Sequence, residues 1–183
     1  LNNYKEEFIK LYNTHITRYG AKQLLEYLER TDFFEAPAST RFHESYKGGL
    51  VEHSVRVFQE LEKMPEVADT PKETIALVAL LHDICKVNFY TTEMRNKKVD
   101  GKWVQVPFYT VDDKLPLGHG EKSVLLISSM MNLSMEEMMA IRWHMGAYSG
   151  QQDWNTLGRA YEMYPLVLLT HMADMKATYL KKV

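Results

Sequence analysis

The run from Ile75 to Leu81 is apolar on every side of a helical wheel and leads directly into His82 and Asp83. A helix that is hydrophobic all round belongs in a core, so the polar pair at its C-terminal end is carried inside with it. Burying an imidazole beside a carboxylate is costly unless a partner takes up the charge. A divalent cation is such a partner. The chain is therefore expected to fold around this helix and to hold something charged at its end.

Helical periodicity dominates the rest. Phe8, Ile9, Leu11 and Tyr12 mark one face of a first helix, and Leu24, Leu25 and Leu28 mark a second. Residues 31–48 lack such a stripe and read as a long loop. Gly48-Gly49 opens a helix whose stripe of Leu50, Val51, Ser54, Val55, Phe58 and Leu61 surrounds His53. Thr70, Pro71 and Glu73 predict a capped start for the central helix. Ser134 and Glu137 predict a capping box, with the helix ending near His144 and Gly146 as its stop. A last helix begins near Pro165 and carries Asp174 within an apolar face. The one interruption is 87–111, where β-branched and aromatic residues flank Asp100-Gly101, a hairpin turn signal. The expected fold is an all-α helical bundle with a small inserted β-hairpin around residues 87–111, and residues 1–183 are expected to form a single domain.

Composition narrows the partners. A net charge of −2 offers no broad basic face, so strong duplex nucleic-acid binding is not expected. A local basic cleft for a nucleotide or short oligonucleotide is compatible with it. Cys85 is the only cysteine, so no intrachain disulfide can form, which favours a cytoplasmic protein. No apolar run reaches the roughly 18 residues of a membrane span. The N-terminal segment is amphipathic and contains acids, unlike a signal peptide. The oligomeric state is not legible.

Six side chains can ligate a metal in sequence order: His53, His82, Asp83, His119, His144 and Asp174. Mixed imidazole and carboxylate donors suit Mn, Fe, Zn, Co or Ni, and one or two divalent ions are expected. Lys86 lies one helical turn after Asp83 and can present a cation on the same face. Lys122 is a second candidate for contact with substrate. Arg41, His43 and Lys47 precede the helix of His53 and could reach a substrate phosphate near its N-terminus. His171, one turn before Asp174, is read as a supporting or packing residue. Cys85 is read as a small buried residue, and the methionines between 130 and 145 as packing material. Lys97, Lys98 and Lys102 at the hairpin tip are read as solvated. The sharper alternative is a flap presenting Tyr90, Trp103 or Tyr109 to a base.

The blocks GGLVEHS (48–54), LLHDICK (80–86) and HMADM (171–175) resemble the HD-domain superfamily of metal-dependent phosphohydrolases. GHGEKS (118–123) and RWHMG (142–146) resemble its subset with two intervening histidines and a two-metal centre. The overall pattern looks most like uncharacterised HD-domain hydrolases of phages and Gram-positive bacteria. That resemblance implies one metal held by His53, His82, Asp83 and Asp174, with Asp83 bridging to a second held by His119 and His144. It further implies a metal-activated water, Asp83 and Lys86 as catalytic residues, and a small phosphorylated substrate of nucleotide type. Two enzymatic readings stand open, a nucleotide phosphatase or triphosphohydrolase and a phosphodiesterase or 3′-5′ exonuclease on short oligonucleotides. A non-catalytic nucleotide-binding HD module is the alternative from another class.

Overall fold

The apolar run forms helix α4 (Lys72–Leu81), and every side chain from Ile75 to Leu81 is fully buried in a computed structural model that describes residues 3–40 and 44–180. Full burial of one large aliphatic side chain is worth about 1.5–3 kcal/mol, so this helix anchors the molecule. Around it pack α1 (Tyr4–His15), α3 (Gly49–Glu62) and α6 (Met135–Trp143). Helix α8 (Pro165–Tyr179) lies against α3 and α6, and α5 (His119–Ser128) lies beside α6. Helix α2 (Ala21–Arg30) joins the same core through Leu24 and Leu28. Helix α7 (Trp154–Met163), for which the sequence carries no strong start signal, packs on α8. It closes a smaller cluster of Trp143, Leu157, Ala160 and Val167.

The expected all-α fold with an inserted hairpin is what the chain adopts. Strands β1 (Tyr90–Val99) and β2 (Lys102–Val111) pair antiparallel, with Val99 opposite Lys102. Asp100 and Gly101 both have positive φ (48° and 81°), the backbone a two-residue type I′ turn requires. Both strands are exposed along most of their length.

Of the two predicted caps, one forms. Ser134 and Glu137 make the reciprocal capping box at α6. At α4 the predicted Thr70 cap does not form; the helix starts one residue later, with Pro71 as N-cap and no side-chain bond. Glu73 is instead engaged from a distance, accepting the Thr17 and Arg18 amides at 2.7 and 3.0 Å. Two backbone donors outcompete one local one. Among the described residues no helix is long and apolar enough to cross a membrane.

Candidate metal centre and adjoining cavity

Helix ends deliver most of the polar residues to one place. His82 is the C-cap of α4 and His144 that of α6. The last turn of a helix leaves carbonyls without amide partners, and each ring uses one. His82 Nδ1 donates to the Ala79 carbonyl at 2.8 Å and His144 Nδ1 to that of Ile141 at 2.7 Å. A carbonyl can only accept, so both rings carry hydrogen on Nδ1 and turn an Nε2 lone pair inward. His119 opens α5, where Gly120 permits a close helix approach; a Cβ there would collide with the Arg142 carbonyl oxygen. His53 comes from mid-α3 and Asp174 from α8.

The geometry converges on Asp83. Its Oδ1 lies 2.7 Å from His119 Nε2 and 3.4 Å from His144 Nε2. Its Oδ2 lies 3.5 Å from His82 Nε2, 3.8 Å from His53 Nε2 and 2.6 Å from Lys86 Nζ. His53 Nε2 is in turn 3.1 Å from Asp174 Oδ1 and 3.3 Å from His82 Nε2. One carboxylate thus divides its oxygens between two groups of imidazoles.

These donors fit a divalent cation. Two imidazole nitrogens bound at ~2.0–2.1 Å around a tetrahedral ion stand ~3.3–3.4 Å apart, close to the 3.3 Å between His53 and His82. His144 Nε2 is buried with no hydrogen-bond partner among the described residues, a costly state that an ion relieves. Three sets of side chains, His53/His82/Asp83, His82/His144/Asp174 and Asp83/Cys85/His119, have ligand atoms within 4.8 Å of one another.

Charge follows the same plan. Burial alone would raise the Asp83 carboxyl, yet Lys86, His82 and His119 hold it well below the usual carboxylate range. Burial would likewise raise Asp174, and His53 with its neighbours pulls it far down. Burial outweighs Asp83 at His119 and lowers that ring below its ordinary value, keeping it neutral. Deprotonated carboxylates and neutral imidazoles are the forms that bind metal. Cys85 Sγ sits 3.3 Å from His119 Nδ1, and burial pushes its thiol up to about 12, so it stays protonated.

A cavity of about 460 Å³ opens beside Asp83, His119 and Asp174. Lys86 and His171 also line it, and Phe89, Tyr90, Tyr148 and Tyr179 supply aromatic walls. His171 Nδ1 donates to the His144 carbonyl at 2.7 Å, steadying the end of α6. Lys122 is buried, paired with Asp113, and lies 4.9 Å from the Phe89 ring centre. Lys47 is exposed and pairs with Glu35 at 3.2 Å, away from the residues that line the cavity. Arg41 and His43 lie outside the described residues. Sequence reading missed Glu44, a buried carboxylate whose Oε2 is 4.0 Å from His53 Nδ1. It also missed Tyr148 and Tyr179, since no spacing rule ties a cavity wall to distant ligands.

A family model described as HD domain matches residues 50–175, a span that contains all six potential ligands. A curated relative, the dihydroneopterin 2′,3′-cyclic phosphate phosphodiesterase of Methanocaldococcus jannaschii, is 34% identical over 84 residues. That match covers 43% of this chain and 32% of the relative, so the chain spans about a third of that protein's length. No solved structure matches the chain significantly.

Proposed function

The chain belongs to the HD-domain family of metal-dependent phosphohydrolases, and on that premise we propose that it hydrolyses a phosphoester bond of a nucleotide-type substrate. The observation that carries this reading is the divided Asp83 carboxylate, set between two imidazole groups at the edge of an aromatic-walled cavity. His53, His82, Asp83 and Asp174 would hold one ion, and Asp83, His119 and His144 a second. Imidazole and carboxylate donors admit Mn, Fe, Zn, Co or Ni. When bound, such an ion supplies Lewis acidity, lowering the pKa of water and withdrawing charge from phosphoryl oxygens.

The remaining work falls to the chain's own side chains. Lys86 keeps its ammonium beside Asp83 at the cavity wall, where it offsets the negative charge of a phosphoryl group. Tyr90 and Tyr148 offer faces for a planar base. Phe89 and Tyr90 give the reacting phosphate an apolar flank. We place α1 and α2 in the same unit as the rest, since Phe8, Leu24 and Leu28 share a core with Leu50 and Leu77.

A diester substrate is the second reading. The relative from Methanocaldococcus jannaschii is named for hydrolysis of a cyclic phosphodiester. The test is to load the purified protein with each candidate metal, count bound ions, and assay bis-p-nitrophenyl phosphate beside a nucleotide panel. Metal-dependent turnover that disappears in Asp83→Ala is expected. Turnover that persists in that variant, or that ignores metal, removes the proposed mechanism.

A further inference from the structure

The hairpin of β1 and β2 contributes Tyr90 and Val111 to the cavity and extends beyond it. Directly opposed residues of an antiparallel pair share a face, so the register places Tyr90/Val111, Thr92/Tyr109, Met94/Pro107, Asn96/Gln105 and Lys98/Trp103 on one side. The first of these pairs lines the cavity beside the metal ligands. From there the same face runs outward, following the right-handed twist of the ribbon, to Trp103. Trp103 is 72% exposed and Met94 58%. Met94 and Trp103, with the Asn96/Gln105 pair between them, are large apolar side chains held in water on one face, and such exposure asks for an occupant.

Chemistry selects that occupant. The strip holds no acid: Glu93 is on the opposite face and Asp100 is in the turn. Its only charge is Lys98, with the amides of Asn96 and Gln105 one step inward, while Lys97 and Lys102 lie on the opposite face. The aromatic steps begin at Phe89 and Tyr90, whose ring centres are 5.0 Å apart, and continue 6.5 Å on to Tyr109. Aromatic platforms with two amides and one lysine between them, without carboxylates, suit stacked bases joined by phosphates. Bases, unlike an acidic peptide, also gain from aromatic faces on which to stack.

Resting on the phosphohydrolase reading above, we propose that this face is a track for a single-stranded oligonucleotide whose scissile phosphate occupies the cavity beside Asp83 and Lys86. The eight residue steps from Tyr90 to Lys98 span about 26 Å, room for on the order of four nucleotides. Hydrolysis there consumes one water: its oxygen joins phosphorus, and a proton ends on the departing ribose oxygen as the phosphorus–oxygen bond breaks. The hairpin is then the element that distinguishes a strand from a mononucleotide.

The experiment compares phosphorothioate single strands of two, four and eight nucleotides, binding to the Mn-loaded full chain by fluorescence anisotropy. Affinity is expected to climb with length. Trp103→Ala is expected to weaken the octamer about tenfold and so to shrink the ratio of octamer to dinucleotide affinity. Lys98→Gln should reduce the salt slope by about 0.7, while Val104→Thr, on the opposite face, leaves the octamer affinity as it was. Equal affinity for all lengths, or an octamer indifferent to Trp103→Ala, overturns the track. So does a dimer in light scattering that Trp103→Ala dissociates, which would assign the strip to a second copy of the chain.

Turnover of bis-p-nitrophenyl phosphate in the same samples separates the two readings. Turnover without any length dependence sinks the track alone. Length-dependent binding without turnover under any metal upholds the track and sinks the phosphohydrolase.

Discussion

His82 Nε2 and His53 Nε2 face each other at 3.3 Å, both rings buried. The His82 lone pair is fixed inward by the bond from Nδ1 to the Ala79 carbonyl, so this contact needs either a hydrogen carried on His53 Nε2 or a metal ion between the rings. Metal binding should therefore raise stability. Ion present at 100 times its dissociation constant adds about 2.7 kcal/mol, read as a rise in Tm on titrating Mn into chelator-treated protein. His82→Ala should abolish the rise. A Tm indifferent to both metal and chelator would show that this contact holds no ion.

Lys86 and Asp83 make a buried pair at 2.6 Å. Removing one partner of such a pair costs about 3–5 kcal/mol because the other charge is left unpaired. Lys86→Met should therefore be strongly destabilised in metal-free protein and much less so when an ion supplies the countercharge. Differential scanning fluorimetry with and without metal reads that difference directly. Turnover should fall by about 10²-fold, the scale for losing one donor aimed at developing charge. Equal destabilisation in both states would disconnect Lys86 from the metal centre.

Much of this architecture could be read before any coordinates, and the reason is local. The Asp100-Gly101 turn and the Ser134–Glu137 capping box each close within four residues, so composition alone announces them. The six polar side chains are picked out by the resemblance of their sequence blocks to the HD-domain pattern, with apolar stripes around His53, before His82 and around Asp174 in support. What stayed hidden acts over distance. Glu73 ignores its own helix for amides at Thr17 and Arg18, more than fifty positions away in sequence. Glu44 reaches the back of His53 from a loop with no periodicity. Helices α5 and α7 carry internal glycines, Gly120 and Gly158, which blur a helical pattern. The strip on the hairpin emerges only once register is known.

Arg18 ties the fold together through two acids, reaching Glu137 at 2.7 Å and Glu73 at 3.3 Å. Burial would raise the Glu137 carboxyl, but Arg18, the Ser134 amide and the Thr74 hydroxyl bring it below its ordinary value. A folded-state value lower than the unfolded one stabilises the protein above the unfolded pKa, about 4.3. That contribution is lost as pH falls from there through the lower folded value. The Tm of the parent should decline through this acidic window. Glu137→Gln should be less stable at pH 7 by roughly 3–5 kcal/mol and should lack this component of the decline. Parallel Tm profiles for the two proteins would contradict the assignment.

Gly120 offers the sharpest test of whether one ion or two are held. A side chain there has no room, because its Cβ would strike the Arg142 backbone carbonyl rather than a movable side chain. Gly120→Ala must push the start of α5 away from α6, and His119 moves with it, off Asp83 Oδ1. The His53, His82 and Asp174 group draws on α3, α4 and α8 and has no such dependence. Bound metal should therefore fall from two ions per chain towards one, with overpacking costing about 1–3 kcal/mol. His119→Ala should reproduce the loss of the ion without the strain. Metal analysis paired with thermal melts distinguishes the two variants. If Gly120→Ala keeps both ions and the parental Tm, the close approach of α5 to α6 is not what sets His119 against Asp83.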